Sequence, residues 1–533
     1  MSNVAENRYE ESPKRVKYDR QLRLWDDHGQ YALEAAHVCL INASATGTEI
    51  LKSLVLPGVG AFTILDPKIV TGDDVGNNFF LDKDSIGKSR AKVATELLLD
   101  LNSDVRGEFV DESLECILQA DPNFFSKFTV VIATNLEEAT LLQLAGKLWD
   151  QRVPLLVCRA YGMIGYMRLQ FTDRAIVESR PENEFHDLRL DKPFNALKAY
   201  SNSINLVTLT DTEHAHVPFV ILLLKHLDSW REKHGGDIPK NMKEKNALKD
   251  LINASMRKND EENFEEACKA VNGSISKTTV PSEIRAILND PNCEELTPES
   301  KSFWILVKAL KEFVDNEGQG CLPVRGVIPD MTSDTNSYIK LQNIYRAKAE
   351  EDAQVIYRRA QDNLCRLGKP PNSISEQEVK VFCKNAHCLR VLRGRSIEEE
   401  YNPKTSNVKN LVADLEHEDS DIIFYVLLRA ADRFYHEYRR YPGQNNEDVE
   451  ADIVRLKNIV TSLMSEWGCS PIMKDDYVHE MCRFGASELH SVAAFVGGCA
   501  AHEVIKLITG QYVPFNNTFT YFAVNHTTSV FCL

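Results

Sequence analysis

One segment, residues 38–66 (VCLINASATGTEILKSLVLPGVGAFTILD), constrains the fold of this chain most strongly. An apolar strand from Val38 to Ile41 leads into a turn of small residues, a helix follows, and a second apolar strand ends at Asp66. Nucleotide-binding units of this order carry a G-x-G-x-x-G loop. Its first glycine makes the turn, its second lets phosphates approach, and its third lets the helix pack on the strand. Here Asn42, Ser44 and Gly47 occupy those places, so the pattern predicts a nucleotide-binding fold that keeps only its packing glycine.

The order of the predicted elements indicates more than one structural region. At 533 residues the chain is too long for a single ordinary core. Residues 1–175 alternate strands with helices, residues 176–484 carry mostly helical patterns, and residues 485–533 return to the alternating order. The sequence therefore predicts an α/β protein whose Rossmann-like sheet, open and mostly parallel, is interrupted by a large, mainly helical insertion domain.

Hydrophobic periodicity places the individual elements. It predicts strands over 128–134, 154–158 and 163–171, and helices over 88–101, 137–149, 338–367, 376–389 and 449–466. The closing helix carries two adjacent glycines, Gly497 and Gly498, which predict a point of close contact with a neighbouring element. Gly510 marks the end of this helix.

Composition excludes several classes of function. With 62 basic and 78 acidic side chains the formal net charge is −16, which disfavours nucleic acids and anionic membranes as partners. The first residues have no apolar core, so we expect neither a signal nor an anchor there, and apolar runs of about eight residues fall short of the roughly 18 needed for a membrane span. Thirteen cysteines fit reduced core thiols. Cys383, His387 and Cys388 lack a second pair of ligands, so we expect no metal site.

Four segments resemble the activating enzymes of ubiquitin-like modifiers. YDRQLRLWDDHGQYALEAAHVCLINA (18–43) is similar to their N-terminal Tyr-x-Arg-Gln helix and first strand, and LKSLVLPGVGAFTILD (51–66) to the next helix and strand. SIGKSRAKVATELLLDLN (85–102) resembles the helix after the nucleotide loop, and SVAAFVGGCAAHEVIKLITGQYVPFNN (491–517) resembles the closing helix. The resemblance covers residues 1–175 and 485–533, the two predicted sheet regions.

Two segments of the insertion narrow the resemblance. GQGCLPVRGVIPDMTSDTNSYIKLQNIYR (318–346) and RRYPG (439–443) are similar to regulatory members of the branch that activates Nedd/Rub modifiers. Such enzymes pair two adenylation folds, of which one is active. They adenylate the modifier with ATP and magnesium, hold it as a thioester and pass it to a conjugating enzyme, and then to cullins. The resemblance implies a heterodimer whose catalytic partner binds ATP and magnesium, while this chain binds no cofactor itself. It also implies the modifier and the conjugating enzyme as further partners.

Compared position by position with that family, the chain has lost most of an active nucleotide site. Asp66 matches the family's ribose-binding aspartate, but Lys68 replaces an aspartate that handles the metal, and a cation there repels magnesium. Asp74 and Asn77 replace an asparagine and an arginine, and Arg90 replaces the ATP lysine with a guanidinium of different shape. The predicted degenerate site comprises Asn42, Ser44, Gly47, Asp66, Lys68, Asn77 and Arg90.

The thioester nucleophile is missing from its expected place. Active members carry a cysteine in the stretch after the crossover from the sheet, and residues 177–194 contain none. Cys268 and Cys293 lie in later helical or acidic segments without a neighbouring histidine or a basic setting to lower a thiol pKa. We expect both to be structural thiols, and we expect the chain to be no enzyme by itself.

One catalytic contribution is expected to survive at Arg20, the arginine of the Tyr-x-Arg-Gln helix. In the family, this arginine of the inactive half reaches the ATP of the partner. A guanidinium supplied in trans stabilises phosphate charge as an arginine finger does. Arg23 is a nearby competitor for the same role, and an exposed surface arginine is the alternative interpretation.

The segment 329–345 is a second candidate for a functional role. Tyr338, Leu341 and Tyr345 recur at helical spacing and form one apolar and aromatic face. Such a face is usually core, but aromatic anchors beside polar residues also suit interfaces. We predict contact with the catalytic partner through Pro329, Asp330, Met331, Tyr338, Ile339, Leu341, Gln342, Ile344 and Tyr345.

Two other functions compete with this interpretation. An autonomous adenylating enzyme with a degenerate loop would need the missing acid, arginine and nucleophile. A nicotinamide dehydrogenase is suggested by Asp66, which lies 24 residues after Asn42 (66 − 42), but the lost glycines disfavour it. The family resemblance also implies a cytoplasmic and nuclear protein.

Overall fold

A computed structural model describes residues 13–182, 186–402, 404–407, 420–468 and 474–533. The N-terminal residues 1–12, predicted to hold no signal, and residues 183–185 of the cysteine-free stretch lie outside the described residues. The chain divides into two compact units, which we call unit 1 (Met1–Arg174 and Leu392–Leu533) and unit 2 (Ala175–Val391).

Unit 2 is shorter than the predicted insertion. We expected one helical insertion over 176–484, whereas unit 2 ends at Val391 and the helices beyond it belong to unit 1. The physical reason lies in their apolar faces, because the core of helix Ile422–Tyr438 includes the sheet residues Tyr161, Tyr166 and Phe522. A helical pattern in the sequence does not reveal which surface the helix covers.

A single eight-stranded sheet forms the centre of unit 1, in the order β10-β9-β6-β5-β4-β1-β2-β3. Strands β1 to β5 are parallel, and β6, β9 and β10 continue the sheet antiparallel. Among the described residues the strands, including the short β7 and β8 at the unit boundaries, are β1 His37–Ile41, β2 Ala61–Leu65, β3 Arg106–Val110, β4 Val130–Thr134, β5 Leu155–Tyr161, β6 Ile164–Gln170, β7 Arg174–Ile176, β8 Arg390–Leu392, β9 Thr518–Phe522 and β10 Thr527–Phe531.

Helices cover the sheet of unit 1, and α2 bends at Asp26, whose backbone leaves the helical region. In the described part of this unit the helices are α1 Pro13–Lys17, α2 Asp19–Ala35, α3 Ala45–Val55, α4 Gly72–Asn77, α5 Arg90–Leu99, α6 Leu114–Ala120, α7 Glu138–Asp150, α18 Ile397–Tyr401, α19 Ile422–Tyr438, α20 Val449–Glu466, α21 Asp475–Phe484 and α22 His490–Thr509. Short 3₁₀ turns lie at Lys83–Ser85, Phe124–Lys127 and Asn446–Asp448.

Unit 2 is helical between its terminal strands, as its sequence periodicity predicted. Its helices are α8 Asn195–Ser203, α9 Asp211–His214, α10 Phe219–Lys233, α11 Met242–Asn253, α12 Glu262–Ser274, α13 Ser282–Leu288, α14 Pro291–Glu294, α15 Ser302–Asp315, α16 Thr335–Arg366 and α17 Glu376–Lys384. The last of these ends five residues before the predicted end at 389 (389 − 384). Two apolar cores fill the unit, one around α10 and the other around α15.

The strand order determines where a ligand site of unit 1 would lie. Strand β1 pairs with β2 on one side and with β4 on the other, so the parallel order 3-2-1-4-5 changes direction at β1. In open α/β sheets this reversal opens a crevice at the carboxyl ends of the strands. The turn after β1, with Asn42 and Ser44, lies at that crevice.

Helix α22 packs against α3 through one of its two glycines. A Cβ on Gly497 would lie 2.7 Å from Cβ of Glu49 in α3, whereas a Cβ on Gly498 would meet nothing within 4 Å. The predicted close contact is therefore made by Gly497. Among the described residues α22 alone has the length and apolar composition of a membrane span, and more than half of it is buried within the fold, as in a core helix.

Candidate functional site

The turn after β1 carries side chains that bond to the neighbouring strand, whereas in a nucleotide-binding loop glycines leave the backbone uncovered. Asn42 adopts a left-handed backbone conformation with φ 66°, which asparagine tolerates better than most residues. Its Nδ2 donates to the Thr134 carbonyl at 2.7 Å, and the Thr134 hydroxyl donates to the Asn42 carbonyl at 2.9 Å. These bonds join the ends of β1 and β4 across the crevice.

Ser44 and Gly47 shape the start of α3. Ser44 is the N-cap, and its hydroxyl accepts from the Gly47 amide at 3.3 Å. A Cβ on Gly47 would lie 2.7 Å from the Asn42 carbonyl oxygen and 3.1 Å from the methyl groups of Leu40. The third glycine is therefore required for close packing of α3 on β1.

Glu488, which sequence reasoning missed, places its carboxylate at the N-terminus of α3. Oε1 accepts from the Thr46 amide at 2.8 Å and from the Ser44 hydroxyl at 3.0 Å, and Oε2 accepts from the Ala45 amide at 3.2 Å. The Thr46 hydroxyl donates to the same carboxylate. Because Glu488 lies 442 residues from Thr46 in the chain, no local pattern indicates this contact.

Asp66 is fully buried and engaged within the chain. Its carboxylate accepts from the Ala43 amide at 2.8 Å and from the Lys68 amide at 2.9 Å, and it pairs with Nε of Arg90 at 2.7 Å. The same guanidinium bonds Asp74 at 2.7 Å. Burial alone would lower the pKa of Arg90, but the charges of and hydrogen bonds to the two carboxylates outweigh it, so its pKa is raised. The cation is therefore neutralised inside the protein.

The remaining members of the predicted site lie beside this ion pair. The side chain of Lys68 is exposed at the rim. Nδ2 of Asn77 donates to the Glu488 carbonyl at 3.1 Å. The fold thus brings the seven predicted residues to one crevice together with Asp74, which the comparison of positions had also aligned with the site, and it adds Glu488 to them.

At the start of α2, two side chains of the Tyr-x-Arg-Gln motif are anchored to the fold and a third is exposed. Tyr18 is buried, and its hydroxyl donates to Asp104 at 3.2 Å and accepts from Asn102 at 3.1 Å. Nε2 of Gln21 donates to the Pro57 carbonyl at 2.8 Å. Both side chains fasten the turn that carries Arg20, whose own side chain is exposed.

Arg20 and its competitor Arg23 differ in their contacts. Arg23 pairs with Asp19 at 2.7 Å, one helical turn away. Within the described part of the chain, no hydrogen bond or ion pair engages the guanidinium of Arg20. The structure therefore leaves Arg20 available to a ligand outside this chain, while the role predicted for it stays a prediction.

The predicted interface segment separates into a buried and an exposed part. Leu341 and Tyr345 are fully buried in unit 2, and the Tyr345 hydroxyl donates to the Leu188 carbonyl at 2.6 Å. The prediction that these two side chains meet a partner is therefore wrong in this structure, because the helical stripe is the core face of α16. Of the other predicted residues, Asp330 and Ile339 are exposed, and Pro329, Met331, Tyr338, Gln342 and Ile344 are half-buried.

A groove of about 950 Å³ in unit 2 adjoins the exposed part of that segment. Ile339 and Ile344 of α16 line it together with Phe194, Lys192 and Lys348. The groove combines apolar side chains with charged ones of both signs, since Glu317 and Glu351 also line it.

The cysteines singled out from the sequence are not activated. Cys293 is fully buried, and burial raises its pKa to about 11. Burial likewise raises the pKa of Cys268. Neither thiol therefore has the lowered pKa of a catalytic nucleophile. Across the described ranges, no group of three or more His, Cys, Asp or Glu side chains could hold a metal ion.

The fold and the crevice are those of a known family. The ThiF family matches residues 18–532, and the chain belongs to this family. The chain is also 52% identical over 528 residues to a protein of Gallus gallus named NEDD8-activating enzyme E1 regulatory subunit, with 98% of this chain and 99% of the relative covered.

Relatives with the same name occur in other organisms. A Xenopus laevis protein is 53% identical over 526 residues, covering 98% of this chain and 99% of its own length. The Arabidopsis thaliana regulatory subunit AXR1 is 43% identical over 524 residues, with 97% of both chains covered. These likenesses confirm the family resemblance and the fold class predicted from the sequence.

Proposed function

We propose that this chain is the regulatory half of a heterodimeric activating enzyme for a Nedd/Rub-type modifier. The observation that carries the proposal is the bonding of the Ala45 and Thr46 amides to the chain's own Glu488, in a chain whose full-length relatives are named regulatory subunit. ATP and magnesium belong to the catalytic partner in this proposal, and no cofactor belongs to this chain. The reaction loads the modifier for the conjugating enzyme and then for cullins, with cytoplasmic and nuclear localisation expected.

The contacts of Asp66 and Arg90 support a chain that leaves nucleotide chemistry to its partner. The acid that would hold a ribose already accepts two backbone hydrogen bonds and an ion pair, and the cation that would meet phosphate is shared between two carboxylates. A nucleotide would have to break these buried contacts and leave unpaired charges, which is costly. Exposed Lys68 repels a magnesium ion at the rim.

Arg20 is the residue through which the chain contributes to the reaction. Its guanidinium is exposed and engages none of the residues that the structure describes, and anchored Tyr18 and Gln21 fix the helical turn that presents it. In the partner's pocket it would donate hydrogen bonds to the phosphates of ATP and neutralise charge that grows during adenylation. Arg23, already paired with Asp19, is the weaker candidate.

Modifier-dependent ATP–pyrophosphate exchange tests the proposal. Exchange is expected from the mixture of this chain with its catalytic partner, and not from this chain alone. Arg20→Ala is expected to reduce exchange at limiting ATP by about 10- to 100-fold, the value of one or two charged hydrogen bonds. Arg23→Ala is the matched control and should retain the wild-type rate. Exchange by this chain alone would contradict the regulatory role, and an unchanged rate for Arg20→Ala would contradict the contact in trans.

The exposed part of the segment 329–345 is proposed to meet the catalytic partner. Ile339 is 47% exposed on the rim of the groove in unit 2. Ile339→Asp is expected to weaken co-purification with the partner, because it places a charge in an apolar contact. Val207→Asp, at a site 85% exposed in the same unit, is the control. Equal recovery of the two variants with the partner would contradict the interface.

A further inference from the structure

The amides at the start of α3 are the groups that hold phosphate in folds of this order. The first N–H groups of a helix have no partner inside the helix and carry partial positive charge. Behind a strand of a Rossmann-like sheet they bind the phosphates of a nucleotide. Here the Ala45 and Thr46 amides are both engaged, each by one oxygen of the Glu488 carboxylate.

Glu488 is fixed from its backbone as well as from its side chain. The preceding residue, Ser487, accepts from the Gly162 amide at 2.7 Å in the turn between β5 and β6. The Glu488 carbonyl accepts from Asn77 of α4 at 3.1 Å. Gly162 has φ 55°, and a Cβ there would lie 2.1 Å from the ring of Phe484. Two segments that are distant in sequence, the β5–β6 turn and α4, therefore hold the backbone that carries this carboxylate.

We propose that Glu488 is an internal anion that takes the place of a nucleotide phosphate and keeps the loop of this chain closed. An external phosphate would have to displace a carboxylate that is tethered at its site, and a tethered group competes at high effective concentration. The same contact fastens the segment before α22 to the start of α3. The loop is thus filled by a structural group. This inference concerns the chain alone and does not require the proposed function.

Thermal unfolding of the full chain tests the structural half of this inference. Glu488→Gln keeps the shape of the side chain, but it removes the charge and turns an NH₂ group toward backbone N–H donors. The melting temperature is expected to fall by about 1–3 °C, as for the loss of a helix cap in a unit of this size. Asp476→Asn, at an exposed acid on the neighbouring α21, is the matched control and should unfold as the wild type does.

Hydrogen exchange localises the effect. The peptide that covers residues 43–48 is expected to exchange about tenfold faster in Glu488→Gln than in the wild type, since one of the two amides loses its acceptor and the other keeps only an uncharged one. Unchanged melting temperature and unchanged exchange in Glu488→Gln would overturn the inference.

Inorganic pyrophosphate tests whether the carboxylate stands in for phosphate. The wild-type chain is expected to gain no thermal stability from pyrophosphate, whereas Glu488→Ala should be stabilised in a dose-dependent way because its loop is vacated. Equal stabilisation of the two chains, or no stabilisation of Glu488→Ala, would overturn the substitution for phosphate. Neither partner nor modifier is present in these assays, so their outcome is independent of the exchange assay of the proposed function.

Discussion

Two polar regions of unit 1 differ in whether their charged side chains are paired within the chain. At the crevice beside α3, Asp66 pairs with Arg90, and Glu488 accepts from the amides of the loop. At the first turn of α2, Tyr18 is fastened to the fold while the neighbouring Arg20 is exposed. Buried polar groups need partners, and at the crevice the chain itself supplies them. An exposed guanidinium has no such need, so Arg20 is available to a partner molecule.

Arg90→Met should give the largest effect, because it breaks the internal pairing at the crevice. Asp66 would keep a buried charge without its cation, and the loss of one member of a buried pair costs about 3–5 kcal/mol of unfolding free energy. Urea unfolding of the full chain measures this loss of unfolding free energy. Arg23→Met removes an exposed pair and should cost less than about 0.5 kcal/mol. Equal costs would mean that the crevice is no more dependent on its ion pair than the surface is.

Gly497→Ala should have the next largest effect, since it forces α22 away from α3 and thus disturbs the crevice. The new methyl group would meet Glu49 at 2.7 Å, and overpacking of this kind costs about 1–3 kcal/mol. Gly498→Ala adds a methyl group in open space and should stabilise the helix by up to about 1 kcal/mol. The two variants differ by one position, so chemical denaturation of both isolates the contact. Destabilisation by both would contradict the assignment to Gly497.

Tyr18→Phe tests the anchoring of the first turn of α2, the second region of the comparison. It removes the hydroxyl that bonds Asp104 and Asn102, and we expect a loss of about 1 kcal/mol in unfolding free energy. Tyr31→Phe, at a tyrosine 76% exposed on the same helix, should be neutral. A neutral Tyr18→Phe would show that the hydroxyl does not fasten the turn under Arg20.

Whether a feature of these regions could be predicted from the sequence depends on how far apart in the chain its interacting residues lie. The first strand–loop–helix–strand segment was predictable because its periodicity, its glycines and its strand-ending acid all lie within 29 residues (66 − 38 + 1). Strand β3 was missed because it is an edge strand with mixed exposure, which leaves no clear alternation. Glu488 could not be predicted, since only the folded chain brings it to Thr46.

The aromatic stripe of α16 shows a different limit. Its spacing correctly predicted one apolar face, but a core face and an interface face have the same spacing and composition. Burial decides between them, and it assigns Tyr345 to the core. The extent of the insertion was missed for a similar reason, because the periodicity of α19 does not show that it packs on the sheet.

Arg20→Ala should give the smallest change in stability and therefore sharpens the comparison most. Its guanidinium is exposed and engages no described residue, so we expect a change of less than about 0.5 kcal/mol in unfolding free energy. Urea unfolding of the chain, run beside the exchange assay of the heterodimer, gives both quantities for one variant. A large loss of exchange without loss of stability is the behaviour of a residue that acts on another molecule. If stability fell together with exchange, the side chain would instead support its own fold, as Tyr18 does, and the two regions would no longer differ in kind.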